Sequence, residues 1–351
     1  MERGTRRLIL FGVIFGCVLQ MGAQPWFNLM YEREDSTYII DYRRDLNIRG
    51  MTVFEKNVIA VFDESAADRA ILYQSNPPIP KYGVGFSYRW ANLDLFGPLP
   101  GLSYQDPKRG NTVNGGIGIG ITLPKIWFRT ALENYKGYYL APGSTLFPGA
   151  TNPRIRDDIQ TSTYFASVYY GFNGNKYSHR STIWHSEGQI RSAGSLMIGL
   201  TFTFQAVRAD SSLTELDPIR TGSFLRQPED IDNTSLGASI GYAYTWAINP
   251  HWYLTGMIVP GLSYVWKSQT TETGEVFHDE SIGGFTEIRI VAGYHSPRWF
   301  FGTGVTTYGL GEREASNNRM GINTLNYARL FLGYRFRIKP IKFLEPFDLS
   351  N

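Results

Sequence analysis

The residues in this sequence best suited to chemistry are a histidine and a serine two positions apart, His179 and Ser181. On a β-strand this spacing places both side chains on one face, where an imidazole could activate the hydroxyl for attack on a lipid ester. Such a pair needs a third side chain to orient the histidine, and Ala193 stands where that partner could lie. We therefore predict an ordinary polar strand here, and we predict that the chain is not an enzyme.

Metal and cofactor sites have equally weak signals. His179 and His185 would lie about 20 Å apart along a strand, at roughly 3.3 Å per residue, which is too far for one ion. Acidic residues at 157–158 and 229–232 could bind Ca²⁺, although such clusters are more typical of solvated loops. The only cysteine is Cys17, and no phosphate-binding loop or dinucleotide fingerprint is found. The sequence predicts no cofactor and no metal.

Composition narrows the class of protein. Of 351 residues, 19% are charged and 15% are aromatic, whereas a soluble domain has about 25% charged residues. Glycine is abundant at 37 residues, and a mean hydropathy of -0.23 excludes a helical multispan protein. The net charge of +3 gives no reason to expect a nucleic-acid partner. These values favour an all-β protein rich in glycine and aromatic residues.

The N-terminus has the pattern of a targeting segment. Arg3, Arg6 and Arg7 precede an apolar run over 8–19, and a small-residue site lies at 22–23. This arrangement predicts a secretory signal peptide over residues 1–23 that is cleaved from the mature chain. A membrane anchor is the first alternative, but the run is short for a span of about 20 residues. Lipidation at Cys17 is the second alternative.

Long segments with period-two alternation follow the signal segment. Leu196, Ile198 and Leu200 alternate with small or polar residues, and the same pattern recurs toward the C-terminus. Lipid-spanning strands need about 9–11 residues with apolar side chains outward, and tyrosine and tryptophan gather at their ends. We predict an all-β fold, a single antiparallel transmembrane β-barrel of about 12 strands, within a range of about 10–14. The predicted strands are 37–49, 51–63, 81–96, 125–138, 159–172, 176–188, 193–209, 235–248, 251–267, 284–295, 298–310 and 325–338.

The order of short and long connections predicts which way the barrel faces. Tight turns at 249–250 and 296–297 alternate with longer polar segments, as in outer-membrane barrels with short periplasmic turns and long outer loops. The predicted domains are the signal peptide at 1–23, an N-terminal periplasmic segment at 24–36, the barrel at 37–338 and a periplasmic tail at 339–351. The predicted location is the outer membrane, with its lipid as the first partner.

Several short motifs resemble a known family. Their order along the chain is similar to that of an uncharacterised outer-membrane β-barrel family of Bacteroidota, catalogued as a domain of unknown function. The resemblance covers most of the mature chain and implies an outer-membrane location, without an activity or site residues. The terminal Tyr334-Arg335-Phe336 resembles the aromatic-ended last strand that barrel assembly machinery reads. The motifs are Tyr38-Ile39, Asn76-Pro77, the run from Gly83 to Trp90, Lys176-Tyr177-Ser178, and the run from Ser192 to Ser195 ahead of Leu196.

Charged residues on the side of the strands away from lipid are the candidate functional residues. An arginine facing lipid would cost about 2–4 kcal/mol at mid-membrane, so these side chains are expected in the lumen. They could select anionic solutes in a channel, or form salt bridges that seal and stiffen a narrow barrel. We favour the sealed barrel. The candidates are Asp41, Arg43, Asp45, Arg49, Arg89, Arg129, Glu133, Glu287, Arg289, Arg329, Arg335 and Arg337.

Three functions stay open. The favoured one is a structural or accessory barrel that docks a periplasmic or surface protein through its loops or its tail. The second is a small-solute channel with an arginine-lined lumen. The third, and least favoured, is a barrel enzyme that acts on lipid.

Overall fold

The fold was analysed in a computed structural model of the chain. The structure describes residues 34–63, 70–76, 80–99, 101–102, 104–140, 153–213, 228–314, 319–339 and 341. The predicted signal peptide, most of the 24–36 segment and nearly all of the 339–351 tail lie outside the described residues. No helix among the described residues is long and apolar enough to cross a membrane.

Fifteen strands and one short helix make up the described chain. The helix, α1, spans Arg180–Ile183, and a 3₁₀ turn spans Pro107–Arg109. The strands are β1 (Ile39–Asp41), β2 (Leu46–Asp63), β3 (Ala70–Ser75), β4 (Lys81–Tyr88), β5 (Ala91–Gly97), β6 (Val113–Thr122), β7 (Ile126–Leu140), β8 (Arg154–Gly171), β9 (Glu187–Gln189), β10 (Ala193–Arg208), β11 (Pro228–Ala247), β12 (Trp252–Thr271), β13 (Val276–His295), β14 (Trp299–Glu314) and β15 (Arg319–Phe336).

Twelve of these strands form a closed antiparallel barrel, which confirms the predicted fold class. The ring runs β2, β4, β5, β6, β7, β8, β10, β11, β12, β13, β14 and β15. It closes between the first and last strands, where Leu46 of β2 pairs with Phe336 of β15 and the register continues to Asp63 and Arg319. Closure leaves no unpaired edge in the ring, which a barrel in lipid requires.

Side-chain alternation explains why these segments form barrel strands. On β10, Leu196, Ile198 and Leu200 are exposed on the outside of the barrel, whereas Met197 and Thr201 are buried inside it. The two periodic faces of a strand point to opposite sides of the sheet, so the apolar set covers the outer surface. Trp252 and Trp299 are half exposed at one end of this apolar surface.

One sector of the wall is forked. β3 and β4 both pair with β2, β3 with its second half and β4 with its first half. β3 then pairs directly with β7, whereas the β5–β6 hairpin lies between β4 and β7. The side-chain amide of Asn76 ties this fork to the following loop by donating to the carbonyls of Asp106 and Gly110 at 2.9 and 2.7 Å.

The strand count agrees with the prediction, but several boundaries were wrong. The predicted pair 37–49 and 51–63 is one long strand, β2, preceded by the short β1. The predicted strand 81–96 is the hairpin β4–β5, with a turn at Arg89 and Trp90. The glycine-rich stretch at 115–120, which lies outside the predicted strands, is in β6. The predicted strand 176–188 is not a wall strand, because it folds inward between β8 and β10.

Candidate functional site: a plugged lumen

The connection between β8 and β10, residues 172–192, folds into the barrel and closes it. Every residue from 177 to 189 is buried, although the segment lies between two neighbouring strands of the wall. We call residues 172–192 the plug. The end of the barrel that contains it is the plug end, and the opposite end is the loop end. The plug consists of α1, a sharp turn at His185 with φ of 57°, and β9.

A short sheet covers the plug on its outer side. β1 pairs antiparallel with β9, so that Ile39 lies opposite Gln189 and Asp41 lies opposite Glu187. The side-chain amide of Gln189 donates to the carbonyl of Lys176 at 2.7 Å and accepts a hydrogen bond from the Ser178 amide at 2.8 Å. The chain therefore passes across the plug before it enters the first barrel strand.

Three arginines of the wall hold the carbonyls at the C-terminal end of α1 and just beyond it. Arg329 donates to the carbonyl of Thr182 at 3.1 Å, Arg49 to that of Trp184 at 3.1 Å and Arg335 to that of His185 at 2.8 Å. The last carbonyls of a helix have no partner within the helix, so a buried helix end needs donors from elsewhere. Since these arginines lie on β2 and β15, the strands that close the barrel also hold the plug.

Aromatic stacking fixes the two plug histidines. The ring of His185 stacks against Phe331 at 4.1 Å and Phe300 at 5.1 Å between ring centroids, and its Nδ1 lies 3.0 Å from the Ser181 carbonyl. Burial lowers the pKa of His185 well below its ordinary value, and the nearby Arg329, Arg49 and Arg335 lower it further. Burial likewise lowers the pKa of His179, which stacks on Trp127 at 4.1 Å. Both imidazoles are therefore neutral at pH 7.

The outer face of the plug carries a charged cluster. Arg180 of α1 pairs with Glu187 and, at 3.1 Å, with Glu34, whereas Arg43 pairs with Glu34 at 2.6 Å and with Asp41 at 2.8 Å. Burial raises the pKa of Glu34 to about 7, and the Glu187 carboxylate raises it too, against the opposing effect of the two arginines. The cluster joins the segment before β1 to the plug.

Above the plug, ion pairs and hydrogen bonds join the side chains that fill the lumen. Arg49 pairs with Asp94, Lys81 with Glu55 at 2.5 Å and Arg289 with Glu287 at 2.6 Å. Tyr169 donates to Glu287 at 3.1 Å, and the hydroxyl of Tyr308 accepts hydrogen bonds from both Arg129 and Arg289. Two of these contacts join distant parts of the ring, Tyr169 of β8 with Glu287 of β13 and Arg129 of β7 with Tyr308 of β14, whereas the others link nearby strands or residues of one strand.

The described part of the lumen contains at least three small cavities. The central one is about 50 Å³ and is bounded on the plug side by Ile183 and Trp184. A cavity of about 20 Å³ lies beside the plug, and one of about 90 Å³ lies toward the loop end among residues such as Thr203 and Gln205. Arg129 lines all three. The described lumen is therefore a row of small chambers.

Most predicted lumenal residues on later strands meet in these chambers. Arg129, Glu133, Arg289 and Arg329 line the central cavity, and Glu287 lines the smaller one. Arg49 and Arg335 are fully buried and hold the plug. The partners Glu55, Lys81 and Asp94 were missed, although their inward parity could have identified them once the β2 and β4–β5 boundaries were correct.

Five predicted lumenal residues lie elsewhere. Asp41 is on β1, and Arg43 and Asp45 are in the turn before β2, because 37–49 is not one strand. Arg89 is in the β4–β5 turn with φ of 53°. Arg337 is exposed one residue beyond the end of β15. All five are at the plug end, so they belong to its rim and cover rather than to the lumenal wall.

The histidine–serine pair considered for lipid hydrolysis is part of the plug framework. The Ser181 hydroxyl donates to the carbonyl of Ser178 at 2.8 Å, and His179 is stacked on Trp127. In the part of the chain that the structure describes, no hydrogen bond joins His179 to Ser181. The same residues contain no cluster of three or more groups suited to hold a metal ion.

The fold and the plugged lumen together define the protein as a closed β-barrel with an internal plug. Residues 33–336 match a family model described as "Domain of unknown function (DUF4421)". The chain therefore belongs to this family, which confirms the resemblance to a barrel family of unknown function. No curated protein matches the chain.

Several solved structures have a similar chain course at low sequence identity. The outer membrane protease OmpT from Escherichia coli is 13% identical over 84% of this chain and 98% of its own, with a TM-score of 0.36. The outer membrane protein OmpT of Vibrio cholerae is 9% identical over 82% of this chain and 96% of its own, with a TM-score of 0.29. The toluene transporter TodX of P. putida is 8% identical over 87% and 92%, with a TM-score of 0.27. Likeness at this level carries no functional argument.

Proposed function

We propose that this protein is an outer-membrane barrel, closed in its resting state, that acts as a structural or accessory protein rather than as a diffusion pore. The plug carries this proposal, because residues 177–189 are buried in the lumen and their carbonyls are held by wall arginines. A diffusion pore needs a continuous water path, whereas residues 177–189 fill the plug end of the lumen and the cavities above them measure about 20, 50 and 90 Å³.

The membrane location is supported by the outer surface of the barrel. Leucine and isoleucine are exposed on many strands, among them Leu200, Ile240, Ile258 and Ile290, each more than half exposed. Such a belt would be unfavourable in water and suits contact with outer-membrane lipid. The same proposal includes a source in Bacteroidota and a periplasmic or surface protein as partner. It includes no nucleic-acid partner.

Fractionation tests the location. We expect the mature protein in the outer-membrane fraction, and we expect it to migrate faster on gels when unheated than after boiling, because a closed barrel resists detergent. A boiled sample of the same preparation is the control. Recovery of the protein in the soluble periplasm would contradict the proposal.

Conductance tests the plug. In planar bilayers the wild type is expected to show no steady conductance, whereas replacing residues 177–189 with a short glycine–serine linker should open a pore. Putting the same linker in place of residues 272–275, the turn between β12 and β13 at the loop end, is the matched control and should leave the barrel closed. Gel migration confirms that each variant is folded. Steady conductance of the wild type would overturn the accessory role.

A gated channel is the second candidate, because Arg129 lines all three cavities along the lumen. If the plug moves aside, the opened path would pass this guanidinium and would favour anions. The ion preference of the linker variant decides between a channel with a gate and a barrel whose lumen has no transport role. We propose no enzymatic activity, since His179 and Ser181 serve the plug.

A further inference from the structure

The central cavity above the plug has an excess of positive charge that the described residues do not neutralise. Arg129 of β7, Arg289 of β13 and Arg329 of β15 all line it. Arg289 pairs with Glu287, but neither Arg129 nor Arg329 forms an ion pair with any described residue. Arg129 donates to the Tyr308 hydroxyl, and Arg329 donates to the Thr182 carbonyl. Both partners are neutral.

The acidic residues around the cavity are mostly engaged elsewhere. Asp94 pairs with Arg49, and Glu55 pairs with Lys81 and accepts a hydrogen bond from Asn114. Glu133 also lines the cavity, but it is four residues beyond Arg129 on β7, which is about 13 Å toward the loop end at roughly 3.3 Å per residue. One positive charge therefore stays in excess when the cavity's charged side chains are counted with their ion-pair partners: the cations are Arg49, Lys81, Arg129, Arg289 and Arg329, and the carboxylates are Glu55, Asp94, Glu133 and Glu287.

One unused hydrogen-bond donor points to the same place. The Nε of Arg289 is buried and has no hydrogen-bond partner, although the residue is only 3% exposed. Guanidinium groups do not lose their proton in proteins, so burial cannot be relieved by neutralisation. A buried charge without a counter-charge is strongly unfavourable. An anion in the cavity would supply both the missing charge and the missing acceptor.

The cavity size limits what this anion can be. Its volume of about 50 Å³ corresponds to about four sites for a water-sized group, at roughly 10–15 Å³ each. A tetrahedral oxyanion presents four oxygens and accepts hydrogen bonds from several guanidinium groups at once. We propose that this cavity binds a small tetrahedral oxyanion, of the phosphate or sulfate type, between Arg129, Arg289 and Arg329.

The route to the site runs from the loop end. The larger cavity of about 90 Å³ shares Arg129, Ala131 and Glu133 with the central one, whereas Ile183 and Trp184 of the plug close the other side. The chamber is too small for an acyl chain, so the ligand is a free anion rather than a lipid headgroup. Because Arg329 also holds the plug, a bound anion would strengthen the contact between plug and wall.

Titration calorimetry on the folded protein in detergent tests the site, with sodium phosphate, sodium sulfate and sodium acetate compared at constant ionic strength. We expect saturable one-to-one binding of phosphate or sulfate and weaker binding of acetate. Arg129→Gln should weaken oxyanion binding at least tenfold, and Arg129→Lys, which keeps the charge, should weaken that binding less. Arg208→Gln, an exposed arginine at the loop end, is the matched control and should bind like the wild type.

Each outcome of the titrations either supports or overturns the proposed anion site. Absence of saturable oxyanion binding to the wild type overturns the proposal, even if the variants fail to fold. Equal binding by the wild type and a folded Arg129→Gln variant also overturns it, because the anion would then lie elsewhere. Binding lost only in the Arg129 variants supports it, whether or not the barrel conducts.

Discussion

His185 is the residue whose protonation would most directly disturb the plug. Its ring lies between Phe300 and Phe331, and Arg49, Arg329 and Arg335 surround it, together with the hydroxyl of Tyr253. The folded chain holds this imidazole neutral, whereas the unfolded chain protonates it below about pH 6.5. The unfolded state then binds more protons, so His185 lowers the stability of the fold as the pH falls through that range.

The first prediction at this scale concerns His185→Asn, in which asparagine tolerates the positive φ of this position. The wild type should lose melting temperature between pH 7 and 5, and the variant should lose less. His278→Asn, which changes an exposed histidine at the loop end, is the control and should follow the wild type. A pH slope that His185→Asn leaves unchanged would contradict the assignment.

Glu34 should change the pH dependence of stability in the direction opposite to that of His185. Its pKa is raised to about 7, so between its ordinary value and pH 7 the folded state holds a proton that the unfolded state has released. That contribution stabilises the fold at low pH and disappears as the pH rises through 7. Melting curves of Glu34→Gln across the same range should therefore show a steeper loss on acidification than the wild type shows. A shallower loss would reverse the assigned sign.

At the scale of elements, the plug is held by arginines that donate to carbonyls at and beyond the C-terminal end of α1. Arg335 is fully buried, donates to the carbonyls of His185 and Ser296, and stacks on the ring of Tyr42 at 4.0 Å. Replacing it with methionine keeps much of the packing but leaves buried carbonyls without donors, which costs about 1–3 kcal/mol each.

Arg335→Met should therefore loosen the plug before it unfolds the barrel. Hydrogen exchange of the amides in residues 177–189 should speed up, while exchange in β12 and β13 stays slow. Arg208→Met, which removes an arginine from the loop end, should leave plug exchange unchanged. Equal exchange in the wild type and Arg335→Met would show that this arginine does not anchor the plug.

The wall strands give a second prediction. Leu200 of β10 is 55% exposed on the apolar face, so Leu200→Arg should cost about 2–4 kcal/mol at mid-membrane and impair assembly. Thr203, three residues further along the strand, lines the largest cavity, and Thr203→Arg should assemble far better. The fraction of heat-modifiable protein measures both variants. Similar damage from the two changes would reverse the assigned faces.

The alternation on β10 to β15 was sufficient to predict the barrel, because the middle of each of these strands exposes a row of apolar side chains on one face. The first half of the chain was harder to predict. Gly50 suggests a break between two strands, but β2 runs through it. The turn at Arg89 and Trp90 has neither glycine nor asparagine to mark it. In both places the pairing partners, rather than local residue types, decide where a strand ends.

The plug could not be predicted from its own residues. Tyr177, His179, Ser181 and Ile183 alternate as a strand would, and nothing local shows that the segment turns inward. A clue lies on the facing wall. Gly120 of β6 packs against the Trp184 ring so closely that a Cβ there would overlap it. Gly120 therefore makes room for the plug.

At the scale of the whole molecule, the two ends of the barrel have different parts. The start of β2, the end of β15, the plug and the charged cluster around Glu34 are all at the plug end. The opposite end carries the longer connections between strands. A partner that contacts the plug would therefore approach from the end at which β2 begins and β15 ends, and a solute for the lumen would approach from the loops.

The arginines that hold the plug have a consequence for biogenesis. Arg49 belongs to the first strand of the ring and Arg335 to the last, and both donate to carbonyls of the plug. Until those two strands pair, the plug has only part of its docking surface, and both guanidinium groups lack the plug carbonyls as acceptors. Pairing of β2 with β15 and docking of the plug should therefore be a single cooperative step. During assembly, the open sheet would convert directly to the closed, plugged barrel without a long-lived empty intermediate.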